Sequence, residues 1–241
     1  MSAKHLTKEE LTELARYDTP TVCNVIELFN FRPRTEGYMD QRIKACFPEI
    51  PPIVGYASTA TFRCSTPRGK ESYSSLEQQA LSFQELPGPP IIVFEDLDDP
   101  VVGATFGEIM CTSYQTFGAQ GLITSGAGRD MLQIQAMGFP VFTNGINCSH
   151  GYSQIPSINI PVTVGGLPVS PGDLLHADCN GVTNIPHEIA SDVASICGEF
   201  IGAENIILDY LNGKNPTPKG LSEAQRESVE VIKRLTERVK R

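Results

Sequence analysis

Arg129 and Asp130 stand side by side after a glycine-rich stretch, Gly126-Ala-Gly128. A guanidinium grips carboxylate oxygens through a fork of donors, and a carboxylate suits a hard cation. Glycines let the chain bend and let a ligand approach the backbone. The residues that follow, Met131 to Met137, form a predicted helix whose N-terminus favours an anion. Together these groups could hold a small oxyacid and a metal ion. They also have a plain structural reading, a surface turn closed by a local salt bridge.

A second group precedes it. Gly107-Glu-Ile-Met110 opens a predicted helix running to Phe117. If its N-terminus faces the same pocket, the amides of Ile109 and Met110 are offered to a carboxylate. Glu108 then serves as a base or an outer-shell metal ligand; a first-turn Glu also simply favours the helix dipole. His150, His176 and His187 show no HxH or HExxH spacing, and each reads first as a hydrogen-bonded structural histidine. His150, in Cys148-Ser-His-Gly-Tyr152, is the strongest functional candidate of the three. The acidic run Glu95-Asp-Leu-Asp-Asp99 lacks EF-hand spacing and reads as a solvated loop. Met131 occupies the place of a third glycine and no GK[ST] follows, so dinucleotide-fingerprint and P-loop readings fail; GxSxG is absent too.

The elements that must position these groups begin with two helices. Thr7-Lys-Glu-Glu10 is a capping box, and Asp18-Thr-Pro20 restarts a helix striped by Val22, Val25, Ile26 and Phe29. Asn30 to Pro52 reads as a long connection, Val54 to Phe62 as a strand, Glu71 to Leu86 as a helix, and Ile91 to Phe94 as a buried strand. Gly121 to Ile123 is the strand that feeds the glycine turn. Short strands follow at Pro140–Phe142, Ile160–Val164 and Leu167–Val169, then a hairpin of Pro171–Asp178 with Gly181–Ile185. A long helix starts at Pro186 with Ile189, Val193, Ile196, Phe200, Ile207 and Leu211 on its stripe, closing at Asn212-Gly213. A capping box at Ser222 to Gln225 opens the last helix, whose stripe is Ile232, Leu235 and Val239. This order predicts an α+β (mixed α/β) domain over residues 1–213, then a linker and C-terminal helix over 214–241.

Composition narrows the class. Seven scattered cysteines without a CxxC pair predict reduced thiols rather than disulfides or structural zinc. A net charge of -9 argues against nucleic acid as a partner. No apolar run reaches the ~20 residues of a membrane span, and the first ten residues lack a signal-peptide core, so a cytoplasmic location is expected.

Gly107-Glu108, Gly121, Gly126-Ala-Gly-Arg129-Asp130, Gly138-Phe-Pro-Val-Phe142, Pro161-Val162, Gly165-Gly166, Pro171-Gly-Asp173, Asp178, Gly181-Val182 and Pro186 occur in that order. This ordered set resembles the RraA-like family, which includes 4-hydroxy-4-methyl-2-oxoglutarate/4-carboxy-4-hydroxy-2-oxoadipate aldolases and regulators of ribonuclease E activity. The resemblance implies a swivelling β/β/α-type domain with flanking helices, assembled as a homotrimer or homohexamer with sites between subunits. It implies a class II lyase, of aldolase or oxaloacetate decarboxylase type, that cleaves a small 2-oxo acid through a pyruvate enolate. Asp130 would anchor Mg2+ or Mn2+, Arg129 would stabilise the developing charge, and Gly107, Ile109 and Met110 would bind the carboxylate beside Glu108. Glu204 of an adjacent subunit, with Glu199 as the alternative, would complete the site; His150, outside the family pattern, is this chain's own candidate substrate contact. The family alternatives are a non-catalytic trimeric binding protein or a lyase acting on a sugar acid. Two positions depart from the pattern: Gln133 replaces an acid three residues after the pair, and Ser125 replaces a frequent Asp. Gln133 can still hydrogen-bond a metal-bound water but adds no charge.

Overall fold

A computed structural model describes residues 5–70 and 73–240. Helix α1 (Lys8–Leu14) carries the expected capping box, with Thr7 and Glu10 bonded reciprocally; α2 (Thr19–Leu28) is capped by Asp18 and has Pro20 in its first turn. The connection that follows contains only a two-residue strand, β1 (Lys44–Ala45), before β2 (Ile53–Phe62). Then come α3 (Leu76–Ser82), β3 (Pro90–Asp96), β4 (Ala104–Phe106), α4 (Glu108–Thr116), β5 (Gly121–Thr124), β6 (Ala127–Gly128) and α5 (Met131–Ala136). The remaining strands are β7 (Val141–Thr143), β8 (Gly145–Ile146), β9 (Val162–Val164), β10 (Leu167–Val169), β11 (Leu174–Asp178) and β12 (Gly181–Ile185). Helices α6 (Ala190–Leu211) and α7 (Pro218–Val239) close the chain. The mixed α/β class expected from the element order is the one found.

The main sheet runs β1-β7-β5-β3-β2-β11-β12, with β2, β3, β5 and β7 parallel and the outer strands antiparallel. A second, small parallel sheet, β4-β6-β8, stands beyond the carboxyl end of β5. Strand alternation divides the core between two faces. Ile92, Phe94 and Leu122 pack with Cys111, Tyr114 and Ile134 of α4 and α5, whereas Ile91, Val93 and Ile123 pack with Val162, Val164 and Leu167 of the β9–β10 hairpin. Near β11 and β12, α1, α2 and α6 cover Tyr56, Leu174 and Ile185, and Leu235 of α7 joins that cluster. No helix among the described residues is long and apolar enough to cross a membrane.

Four expected boundaries shift. Helix α3 starts at Leu76, not Glu71, because Ser75 caps it and Ser74 bridges to Ile155; residues 71–72 lie outside the described set. Gly126-Ala-Gly128 is more than a turn, since Ala127 and Gly128 pair with Ala104 and Phe106 on one side and Gly145 and Ile146 on the other. Helix α6 begins after a single turn, Ile189 N to Pro186 O, and its stripe leaves Leu211 exposed at the C-terminal end. Helix α7 starts four residues before Ser222, because Thr217 caps it and Pro218 occupies its first position. The Ser222 hydroxyl instead bonds the Pro218 carbonyl within the helix.

Two buried polar anchors tie the helices to one another and to the sheet. The Tyr114 hydroxyl donates to Gln79 Oε1 at 2.6 Å, both residues being fully buried, which ties α4 to α3. Tyr114→Phe strands that carbonyl oxygen, so stability should fall by about 1–3 kcal/mol. Urea denaturation measures this, and an unchanged midpoint would contradict it.

His176 is buried on β11, with Nε2–H donating to the Leu14 carbonyl at 3.1 Å and Nδ1 accepting from the Thr19 hydroxyl at 2.9 Å. Burial pushes its pKa below the ordinary 6.5, against the opposing pull of the Leu14 carbonyl, Asp178 and Asp18. The unfolded chain therefore takes up the proton first as pH falls, so this contribution is complete above pH 6.5 and declines below it. Urea midpoints measured from pH 7.5 to 5.5 should fall toward acid, and less steeply in His176→Gln; parallel slopes would contradict this.

Candidate functional site

The site forms where the two sheets meet. Arg129 follows β6 directly, and its N–H bonds Phe106 O at 3.1 Å, which places it against the end of β4 and the start of α4. Gly107 caps α4. A Cβ at this position would lie 2.6 Å from Asp130 Oδ2 and 2.9 Å from Arg129 Nε, so the pair packs where only glycine leaves room. At Gly128 a Cβ would run into the Phe106 ring.

Asp130 is the N-cap of α5 but does not cap it with its side chain. Its backbone sits at φ 58°, ψ 39°, a left-handed conformation that Asp tolerates better than most residues. This turns the carboxylate toward the other helix: Oδ2 accepts the Glu108 N–H at 3.0 Å and lies 3.6 Å from Arg129 Nε. Both side chains are about one-third exposed, at 34% and 33%, so water and ligand reach them. The first backbone bond of α4 runs from Cys111 N to Gly107 O. The N–H groups of Ile109 and Met110 are thus among the helix donors without an intrahelical acceptor.

A cleft of about 270 Å³ opens beside these groups. Gly107, Ile109, Met110, Arg129 and His150 line it, with Phe106, Thr105, Ala104, Leu76 and Ser153. The structure thus gathers five candidates from three separate segments around one cavity. Asp130 and Glu108 adjoin that lining without being part of it, and the Glu108 side chain is exposed. Glu204 lies on α6 outside this cleft, where burial and Asp18 raise its carboxyl pKa. Glu199 is engaged by Arg238 of α7 at 2.6 and 3.0 Å. His187 stacks on Tyr56 and His176 is the buried anchor described above, so neither lines the cleft.

The two departures also find places. Ser125 Oγ accepts the Asp96 N–H at 2.9 Å, a bond that finishes β3, and Ser125 is not in the cleft lining. Gln133 is exposed on the first turn of α5. The acidic run is not simply solvated. Asp98 accepts Cys64 N–H, Ser65 N–H and the Ser65 hydroxyl, while Glu95 accepts Thr163 N–H, so these carboxylates pin loops to the end of β3. Sequence reasoning missed Leu76, Phe106 and Ser153 as walls of the cleft, and no local signal marks them.

A family model described as RraA-like (Aldolase/RraA) matches residues 19–183. A Halalkalibacterium halodurans protein named "Putative 4-hydroxy-4-methyl-2-oxoglutarate aldolase" is 33% identical over 105 residues, covering 43% of this chain and 49% of that one. Protein DlpA of Legionella pneumophila is 26% identical over 145 residues, covering 59% of this chain and 23% of its own length. The matched segments span no more than about half of these two relatives. An uncharacterized protein from Pseudomonas syringae pv. tomato superposes with a TM-score of 0.72 at 19% identity, over 94% of this chain and 97% of the other. Streptomyces coelicolor RraAS2, described as an unusual member of the RNase ES inhibitor RraA protein family, superposes with a TM-score of 0.67 at 20% identity, over 83% and 97%. At these identities the two structures show a shared fold.

Proposed function

Because the chain belongs to the RraA-like family, which matches more than half its length, we propose that it is a divalent-metal-dependent carbon–carbon lyase. Its substrate is a small 2-oxo acid, cleaved to give the enolate of pyruvate. The observation that carries this reading is the aim of Asp130, turned by a left-handed backbone onto the start of α4 and beside Arg129.

The donor set fits a hydrated cation. No hydrogen bond reaches Asp130 Oδ1 among the described residues, and no group of three or more His, Cys, Asp or Glu converges among them. One carboxylate and no protein cage suits Mg2+ or Mn2+, which keep several waters and complete their shell from substrate. Such an ion supplies Lewis-acid stabilisation to an oxygen that gains charge. The chain's own groups do the rest. The Ile109 and Met110 N–H groups bind the substrate carboxylate at the helix start. The Arg129 guanidinium, held beside Asp130, faces the oxygen on which charge develops.

Ile109, Leu132 and Ile146 are 82%, 79% and 72% exposed on the segments around the site. Apolar groups so placed favour a covering protein surface. A homotrimer or homohexamer supplies one, with Glu204 of an adjacent copy reaching the site; Glu199 is the weaker choice because Arg238 holds it. The same exposure favours a second reading, a non-catalytic protein that regulates a partner through this face.

Metal binding separates the two. Millimolar Mg2+ with oxalate, a pyruvate-enolate mimic, should raise the wild-type Tm by a few degrees and leave Asp130→Asn unmoved. Equal shifts, or none in either protein, would contradict the lyase reading.

A further inference from the structure

Aldol cleavage needs a group that takes the proton from the substrate's 4-hydroxyl. Most side chains lining the cleft cannot. Leu76, Ala104, Phe106, Ile109 and Met110 carry no basic atom, and the Arg129 guanidinium has donors but no acceptor. Thr105 donates its hydroxyl to Asp96, and Ser153 donates its own to the His150 carbonyl. Asp130 and Glu108 adjoin the lining without being part of it; Asp130 Oδ2 accepts the Glu108 N–H and its other oxygen is the one assigned to the cation. Cys64, behind the loop, is pushed up to about 12 by burial and stays a thiol.

His150 is different. Its Nδ1 lies 2.8 Å from the Gly151 carbonyl, and a carbonyl only accepts, so Nδ1 carries the hydrogen. In the neutral ring this leaves the Nε2 lone pair available, and no hydrogen bond reaches Nε2 among the described residues. Gly151 adopts φ 51°, and a Cβ there would meet the Cys64 carbonyl at 2.7 Å, so the turn that presents this carbonyl depends on glycine. The loop is pinned to both strands of the site: Asn147 N–H donates to Gly128 O at 2.9 Å, and Ala104 N–H donates to Ser149 O at 2.7 Å. The Asn147 side chain adds a bond to Val102 O at 3.0 Å. His150 is therefore positioned by the same backbone that positions Arg129.

We propose that His150, through Nε2, is the proton acceptor for cleavage of a 4-hydroxy-2-oxo acid, a role that rests on the lyase reading above. The hydroxyl proton moves to Nε2 as the C3–C4 bond breaks. The O–H pair becomes the second bond of the released carbonyl, and the C3–C4 pair passes into the enolate of pyruvate. The imidazolium then returns the proton to C3, which yields pyruvate and restores the neutral ring. Decarboxylation of oxaloacetate removes no hydroxyl proton, so it does not use the acceptor step, and its enolate takes the C3 proton from water.

The test compares the two reactions in His150→Asn with Mg2+ present. The Asn amide replaces Nδ1–H as donor to Gly151 O and removes the acceptor at Nε2. The ratio of 4-hydroxy-2-oxo acid cleavage to oxaloacetate decarboxylation should fall about 100-fold or more, the usual contribution of a general base. An unchanged ratio, whether or not both rates drop, would overturn the proposal while leaving the lyase reading intact. A wild-type protein that performs neither reaction would overturn both. Long-range proton–nitrogen NMR of the metal-free protein gives a second readout. The neutral His150 ring should show a protonated Nδ1 and a bare Nε2; the opposite tautomer would overturn the proposal.

Discussion

Asp130→Asn is expected to lower pyruvate-forming turnover by about 10³-fold, the scale seen when one preorganised electrostatic group is removed from a site. The choice of asparagine isolates the charge. At φ 58° an alanine would add left-handed strain, whereas Asn occupies that region almost as readily as Asp. The amide oxygen can still accept the Glu108 N–H, so the link between the two helix starts survives. What disappears is the negative charge beside Arg129 and the anionic oxygen available to a cation. The Tm should stay close to that of wild type while activity is lost. Activity within about tenfold of wild type, far above the expected loss, would show that the carboxylate is not central.

Gly107→Ala should have the next largest effect, and it acts without touching a charged group. The backbone there is extended, at φ -156°, ψ -172°, so alanine meets no strain of its own. Its methyl would instead lie 2.6 Å from Asp130 Oδ2 and 2.9 Å from Arg129 Nε, closer than van der Waals contact permits. Both side chains must move, and α4 loses the Glu108–Asp130 bond at its N-terminus. Displacement of about 1 Å in a positioned site costs on the order of 10² in rate. A fall in kcat/KM of that size is expected with a stability loss of about 1 kcal/mol from the poorer cap. Steady-state kinetics and a urea titration on the same preparation separate the two effects. Unaltered kinetics would mean that the packing of Arg129 and Asp130 around Gly107 is not what the reaction needs.

Local chemistry made much of this legible in the sequence. The Thr7–Glu10 box, the Asp18-Thr-Pro20 start and the Gly107 start of α4 are written within four residues each, and the structure has them where the residues specify. The ordered glycines and the Arg129-Asp130 pair carried the family. Non-local pairing stayed hidden. Two residues of β6 become a strand only because β4 and β8, distant in sequence, flank them, and no periodicity can register in two residues. The wall formed by Leu76 and Ser153 comes from loops whose placement depends on bridges such as Ser74–Ile155. Asp98 looked solvated because its partners, the Cys64 and Ser65 amides, lie more than thirty residues away. The Asp130 carboxylate turning from its own helix to the neighbouring one was equally unreadable, since a left-handed Asp leaves no mark in sequence.

The most direct test of the central claim is pyruvate release by the purified protein with excess Mg2+ or Mn2+. Oxaloacetate and a panel of 4-hydroxy-2-oxo acids serve as substrates, beside a chelator control and Asp130→Asn. Metal-dependent pyruvate from at least one of them, abolished by the chelator and by the substitution, is the expected result. No pyruvate from any substrate, by a folded and metal-loaded protein, would contradict the lyase assignment and leave the exposed apolar face around the site as a regulatory surface.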